Sequence, residues 1–105
     1  MWWYYLVAIP AAALLVNGIP HFTQGIAGKR FTTPFVGGPP HLDSARNNVL
    51  WGGFNFIVGG LLVWLIAPGL GDWLLVLELI ALGLFFAALL ATLFEHPELY
   101  GRGGN

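Results

Sequence analysis

The chain has 105 residues, of which 57% are hydrophobic and only 9% charged, with a net charge of −1 and a mean hydropathy of +0.74. A surface facing water needs more polar side chains than this, which excludes an ordinary soluble domain. The near-neutral charge leaves no electrostatic footprint for nucleic acid, and with no cysteine there is no disulfide, thiolate ligand or cysteine nucleophile.

The first apolar run, Trp2 to Val16, reaches membrane-spanning length if it continues through Ile19, because a helix needs roughly 20 apolar residues to cross a hydrocarbon core of about 30 Å. It predicts a transmembrane helix over about residues 2–19. No Lys or Arg precedes the run, and the Ala8–Ala13 stretch comes too early for a cleavage region, so it reads as a membrane helix rather than a signal peptide. Gly18 and Pro20 then predict a turn.

Residues 20–44 read as an interfacial loop. Phe22, Ile26, Phe31, Phe35 and Val36 alternate with Gly, Pro, Lys29 and Arg30. That mixture suits a structured segment folded back onto the membrane, its rings at the acyl boundary and its cations near lipid phosphates. Pro34, Pro39 and Pro40 oppose a long helix there. Asp43 or Ser44 is a candidate N-cap, so the second helix is expected over about 45–67. After the short Pro68–Asp72 turn, a third is expected over about 72–95, packed on the second as an antiparallel hairpin. Residues 96–105 read as a flexible, Gly-rich tail. The expected fold class is therefore an all-α membrane protein, a single domain of three transmembrane helices with a long structured cytoplasmic loop between the first two.

Orientation follows from charge. With three spans, the loop and the C-terminus share a side, and Lys29, Arg30, Arg46 and Arg102 all belong to it. The positive-inside rule then puts the N-terminus out and the C-terminus in. Trp2, Trp3, Tyr4, Tyr5, Trp64 and Trp73 fall at the outer ends of the helices, and Trp51 and Tyr100 at the inner face, as aromatic belts do.

Polar residues within the spans are the first candidates for function. Glu78 lies about five residues, roughly 7 Å, below the outer end of the third helix, level with Tyr4 and Tyr5 of the first. It reads either as a proton or cation site or, more simply, as a polar clip that fixes helix packing. Counting from the inner ends puts Asn55 level with Asn17 and opposite Ala88, where an amide pair satisfies both groups. Asn48, Gly52, Asn55 and Gly59 share one stripe of the second helix, and Gly83, Ala87 and Ala91 form a small-residue stripe on the third. Such stripes admit a neighbouring backbone, either within the bundle or from a partner.

His21, His41 and His96 all belong to the loop side. His21 and His96 with a carboxylate have the right chemistry for a divalent metal or, as axial ligands, a haem, but no pair has a compact ligand spacing. His21 also reads simply as an interfacial residue bonded to the loop or the helix end. No nucleophile constellation is present, and the glycines of GIAGKRFT are too close together for a phosphate loop. No cofactor and no enzymatic activity are expected.

The run NGIPHFTQGIAGKRFTTPF, followed by NNVLWGGFN, resembles a family of small bacterial integral membrane proteins of unassigned function with an N-G-x-P-H-F, G-x-x-G, TPF and N-x-x-W-G pattern. The likeness covers Asn17 to Asn55. It rests on Asn17, Gly18, Pro20, His21, Phe22, Gly25, Gly28, Phe31, Pro34, Phe35, Asn48, Trp51 and Gly52. It implies a bacterial cytoplasmic membrane protein whose loop docks on the first two helices, and it implies no activity.

Three readings of function follow. The first is a non-catalytic component that binds lipid, a larger membrane complex or a second copy of itself. The second is a homo-oligomeric transporter or channel using Glu78, Asn55 and Asn17. The third is a metal or haem site at His21 and His96.

Overall fold

Each apolar run folds as one helix, since in hydrocarbon the backbone must satisfy its own hydrogen bonds. In a computed structural model of the chain, which describes residues 1–96, α1 spans Trp3–Ile26, α2 Ala45–Ile66 and α3 Trp73–Glu95. All three are long and apolar enough to cross a membrane. The molecule's longest dimension, 46 Å, matches a bilayer with its interfacial regions, about 40–45 Å. Glu98, Tyr100 and Arg102, with the tail expected beyond His96, lie outside the described residues.

The helix starts are set by side-chain caps. The Ser44 hydroxyl accepts the Asn47 amide N–H at 3.0 Å, and the Asp72 carboxylate accepts that of Leu74 at 3.0 Å. Each satisfies an amide with no partner in its own helix.

The end of α1 corrects the expected layout. Helix does not stop near Ile19: Pro20, His21 and Phe22 lie within α1, which runs on through Ile26. The long loop expected over 20–44 is therefore not present at that length, and the linker is 27–44. An interior proline removes one hydrogen bond and crowds the preceding turn. Contacts with α2 outweigh that cost, because Gly25 lies against Ala45 and Val49, and Phe22 against Gly52. The helix ends where Gly28 takes φ +76°. There the Lys29 N–H bonds the Gln24 carbonyl and the Gly28 N–H that of Gly25, both at 2.9 Å, the two bonds of a Schellman cap.

The linker is folded back on itself. Phe31 and Asp43 exchange backbone hydrogen bonds at 3.3 and 2.7 Å, and a 3₁₀ turn, Pro34–Val36, lies between them.

A second correction concerns packing. α1 lies between α2 and α3 and contacts both, whereas α2 and α3 form no comparable interface. The expected α2–α3 hairpin interface is absent because the glycine notches of α2 face α1. A Cβ at Gly52 would lie 2.7 Å from the Phe22 nitrogen and 2.9 Å from the Gly18 carbonyl oxygen. One at Gly59 would meet Leu15 at 2.8 Å. At the turn end all three helices meet around Ala8, Ile66 and Leu75, enclosed by Trp3, Tyr4, Leu70 and Leu79. From there α2 and α3 part on either side of α1 and leave a gap at the loop end.

Candidate functional site

That gap is a cleft of about 530 Å³. α1 supplies Asn17 and His21, α2 supplies Trp51, α3 supplies Leu93 and Phe94, and the linker closes it with Thr32 to Pro34 and Gly37 to Pro39. The volume is that of a small-molecule pocket. The linker is tied to α3 by the Phe31 ring, whose centroid lies 4.9 Å from that of Phe94 in an edge contact.

His21 is held from below. Asn48, fully buried, donates its amide hydrogens to the carbonyls of Phe31 at 2.7 Å and Ser44 at 2.9 Å. Its Oδ1 is left as an acceptor 2.9 Å from His21 Nδ1. His21 Nδ1 therefore carries the hydrogen, and the ring also hydrogen-bonds the Thr32 backbone. The imidazole, 4% exposed, lies edge-on to Phe31 at 5.2 Å and Trp51 at 6.4 Å.

A second network fixes the linker. Asp43 accepts from the Thr33 hydroxyl at 2.5 Å, the Ser44 N–H at 2.7 Å and the Asn47 amide at 2.9 Å. The Thr33 bond, foremost, with the Asn47 amide, the Ser44 N–H and the charge of Arg30, holds the Asp43 carboxyl below the usual carboxylate range against the opposing effect of burial.

Two polar atoms at this cleft stand apart. Thr32 Oγ1 and Trp51 Nε1 are shut off from solvent and have no hydrogen-bond partner, although nearly every buried donor in a folded protein finds one.

The other sequence candidates distribute as follows. Asn17 donates to Asn55 Oδ1 at 3.2 Å, and Asn55 also donates to the Trp51 carbonyl at 2.8 Å. Asn55 thus faces α1, not Ala88. Glu78 is half-buried and its Oε1 has no hydrogen-bond partner. Tyr5 donates instead to the Asp72 carboxylate, and Tyr4 packs its ring against Gly69.

Gly83 approaches Val16, whereas Ala87 and Ala91 are exposed, so the α3 stripe is not a continuous contact. Phe35 is exposed and reaches Trp51 edge-on at 5.5 Å. Lys29 and Arg30 are exposed, and Arg30 donates to the Leu42 carbonyl at 3.2 Å. His96 lies 3.7 Å from Glu95. Among the described residues no three His, Cys, Asp or Glu gather as metal ligands; Glu98, a carboxylate of the loop side, lies outside them.

Thr32, Leu93 and Phe94 are cleft residues that the sequence did not single out. They come from separate segments and share no spacing. No family model, curated protein or solved structure matches the chain.

Proposed function

We propose that the protein is a non-catalytic binding component of a bacterial cytoplasmic membrane, which holds a membrane-borne ligand in the cleft between α2 and α3. The observation that carries this reading is the pair of unpartnered polar groups, Thr32 Oγ1 and Trp51 Nε1, at a cleft of about 530 Å³. A donor left buried without an acceptor costs about 1–3 kcal/mol, and an occupant that supplies acceptors recovers that energy. The bacterial setting rests on the resemblance carried by Asn17 to Asn55. The orientation, N-terminus out and cleft at the cytoplasmic interface, rests on Lys29, Arg30 and Arg46 at the loop end.

His21 lies five residues before the end of α1, about 7–8 Å along the axis, and Asn17 about 6 Å deeper. The cleft thus extends from the interface into one leaflet, where a ligand enters from the lipid. A path across the membrane finds less support, since Asn17 and Asn55 bond each other while Glu78 lies towards the opposite end.

The test is solvent extraction of the protein purified in mild detergent, compared with Leu93→Trp, which fills the cleft from α3. The reading expects a compound near one per chain in the wild type and its loss from the variant. Identical extracts from the two proteins would overturn it.

A further inference from the structure

Resting on that reading, we infer that the ligand is a neutral, flat, carbonyl-bearing ring of the quinone class, its oxygens accepting hydrogen bonds from Trp51 Nε1 and Thr32 Oγ1. The lining decides the class. Among the described residues it contains no Lys or Arg: the loop cations Lys29 and Arg30 are not among those lining the cleft, and Arg30 is engaged with the Leu42 carbonyl. A phosphate or carboxylate would enter without the cation that buried anions need. The described lining holds no Asp or Glu either, so a cationic head meets no counter-charge from these residues. Neutral ligands remain.

The donors narrow the choice further. Thr33 spends its hydroxyl on Asp43 and Asn17 one amide hydrogen on Asn55. The backbone N–H groups of Gly37 and Gly38 are spent on the carbonyls of Pro34 and Thr33. Beside His21 and the rest of the Asn17 amide, the two lining groups without any partner are an indole N–H, which only donates, and a hydroxyl, which donates or accepts. A ligand satisfying both through donation presents acceptor oxygens.

The walls favour a planar ring, since the lining includes the aromatic side chains of Trp51 and Phe94 and the apolar ones of Leu93, Pro34 and Pro39. Both donor atoms are shut off from water. Binding therefore requires that the Thr32 side chain rotate and the Trp51 ring swing to bring them to the occupant. Trp51 has room for this on its other side, where Phe35, Asn47, Leu50 and Phe54 line a second hollow of about 440 Å³.

The experiment uses protein carrying ¹⁵N in its indoles, in phosphatidylcholine nanodiscs, titrated with menadione. The five tryptophans give five indole signals, and Trp51→Phe assigns that of Trp51. The expected result is a saturable downfield shift of the Trp51 indole proton, with the other four signals nearly still. Thr32→Val should weaken the apparent affinity about tenfold, the worth of one hydrogen bond to a buried site. It should do so without moving the spectrum of the empty protein.

An unmoved Trp51 signal, or five signals drifting together as menadione partitions into lipid, overturns the inference. So does a Trp51 shift produced by phosphatidylglycerol nanodiscs alone that menadione does not reverse, which assigns the cleft to a phosphate head. If menadione fails while Leu93→Trp still loses an extracted compound, the ligand class falls and the binding reading stands. If the extraction also shows no difference, both fall.

Discussion

Replacing Gly52 by Ala tests the feature on which the whole arrangement depends, the backbone contact of α1 with α2. The new methyl would lie 2.7 Å from the Phe22 nitrogen, 2.9 Å from the Gly18 carbonyl oxygen and 2.9 Å from Phe22 Cβ. Two of these neighbours are backbone atoms, so no side-chain rotation relieves the overlap. Ordinary contacts are about 3.5–4.0 Å, so the helices must separate by about 1 Å, and a gap of that size forfeits a quarter to a half of each dispersion contact along the seam. The same separation stretches the bonds Asn17–Asn55, now 3.2 Å, and His21–Asn48, now 2.9 Å.

Overpacking of this kind costs about 1–3 kcal/mol, against a gain of up to about 1 kcal/mol in helix propensity on replacing Gly by Ala. Gly53→Ala is the matched control, since nothing lies within 4 Å of a Cβ there, and it gains propensity without a clash. The difference between the two variants therefore isolates the clash, about 1–3 kcal/mol. The assay is unfolding in mixed micelles by titration with dodecyl sulfate, followed by circular dichroism. If Gly52→Ala and Gly53→Ala unfold at the same dodecyl sulfate fraction, the close-packed seam is refuted.

Three further outcomes are expected. A double-mutant cycle of Asn17→Leu and Asn55→Leu, read by the same unfolding assay, should give a coupling of about 0.6 kcal/mol, the mean for hydrogen bonds between membrane helices; additive losses would mean that the two amides do not interact. Because the Asp43 carboxyl lies below its unfolded value near 3.9, the stability it contributes is present above that pH and lost as pH falls through the lower folded value. Thermal unfolding between pH 6 and 2 should show this acid loss in the wild type and a flatter profile in Asp43→Asn; equal profiles would deny Asp43 its role. The chain has no cysteine, so Lys29→Cys and Gly71→Cys report sidedness cleanly. In intact spheroplasts an impermeant thiol reagent should label Gly71→Cys and spare Lys29→Cys, and the reverse pattern would invert the orientation.

Much of the fold was legible because hydrophobic length and capping are local signals. Three apolar runs gave three helices, and Asp43-Ser44 marked the start of α2. Counting residues from the helix ends placed Asn17 level with Asn55, and the two amides are hydrogen-bonded. The end of α1 was not legible at Pro20, because the contacts that carry the helix past a proline come from Ala45, Val49 and Gly52, two dozen or more residues away. Gly28, with Lys29 after it, was the better local stop signal.

Helix arrangement was also hidden. A short turn makes α2 and α3 neighbours in sequence, yet the glycine notches of α2 decide which helix it packs on. Tyr5 was matched to Glu78 by depth, but Asp72, which caps α3, takes its hydroxyl. The cleft itself arises where α2 and α3 diverge, and Thr32, Trp51 and Phe94 meet there only through that divergence.

Occupancy of the cleft is most directly tested by photoaffinity labelling. A benzoquinone bearing a diazirine, irradiated with the protein in bilayer nanodiscs, should cross-link to Thr32, Trp51, Leu93 and Phe94, and excess menadione or Leu93→Trp should suppress the labelling. Cross-links spread over the lipid-facing residues of α3, such as Leu77, Leu84 and Leu89, and indifferent to both competitor and variant, would contradict the account.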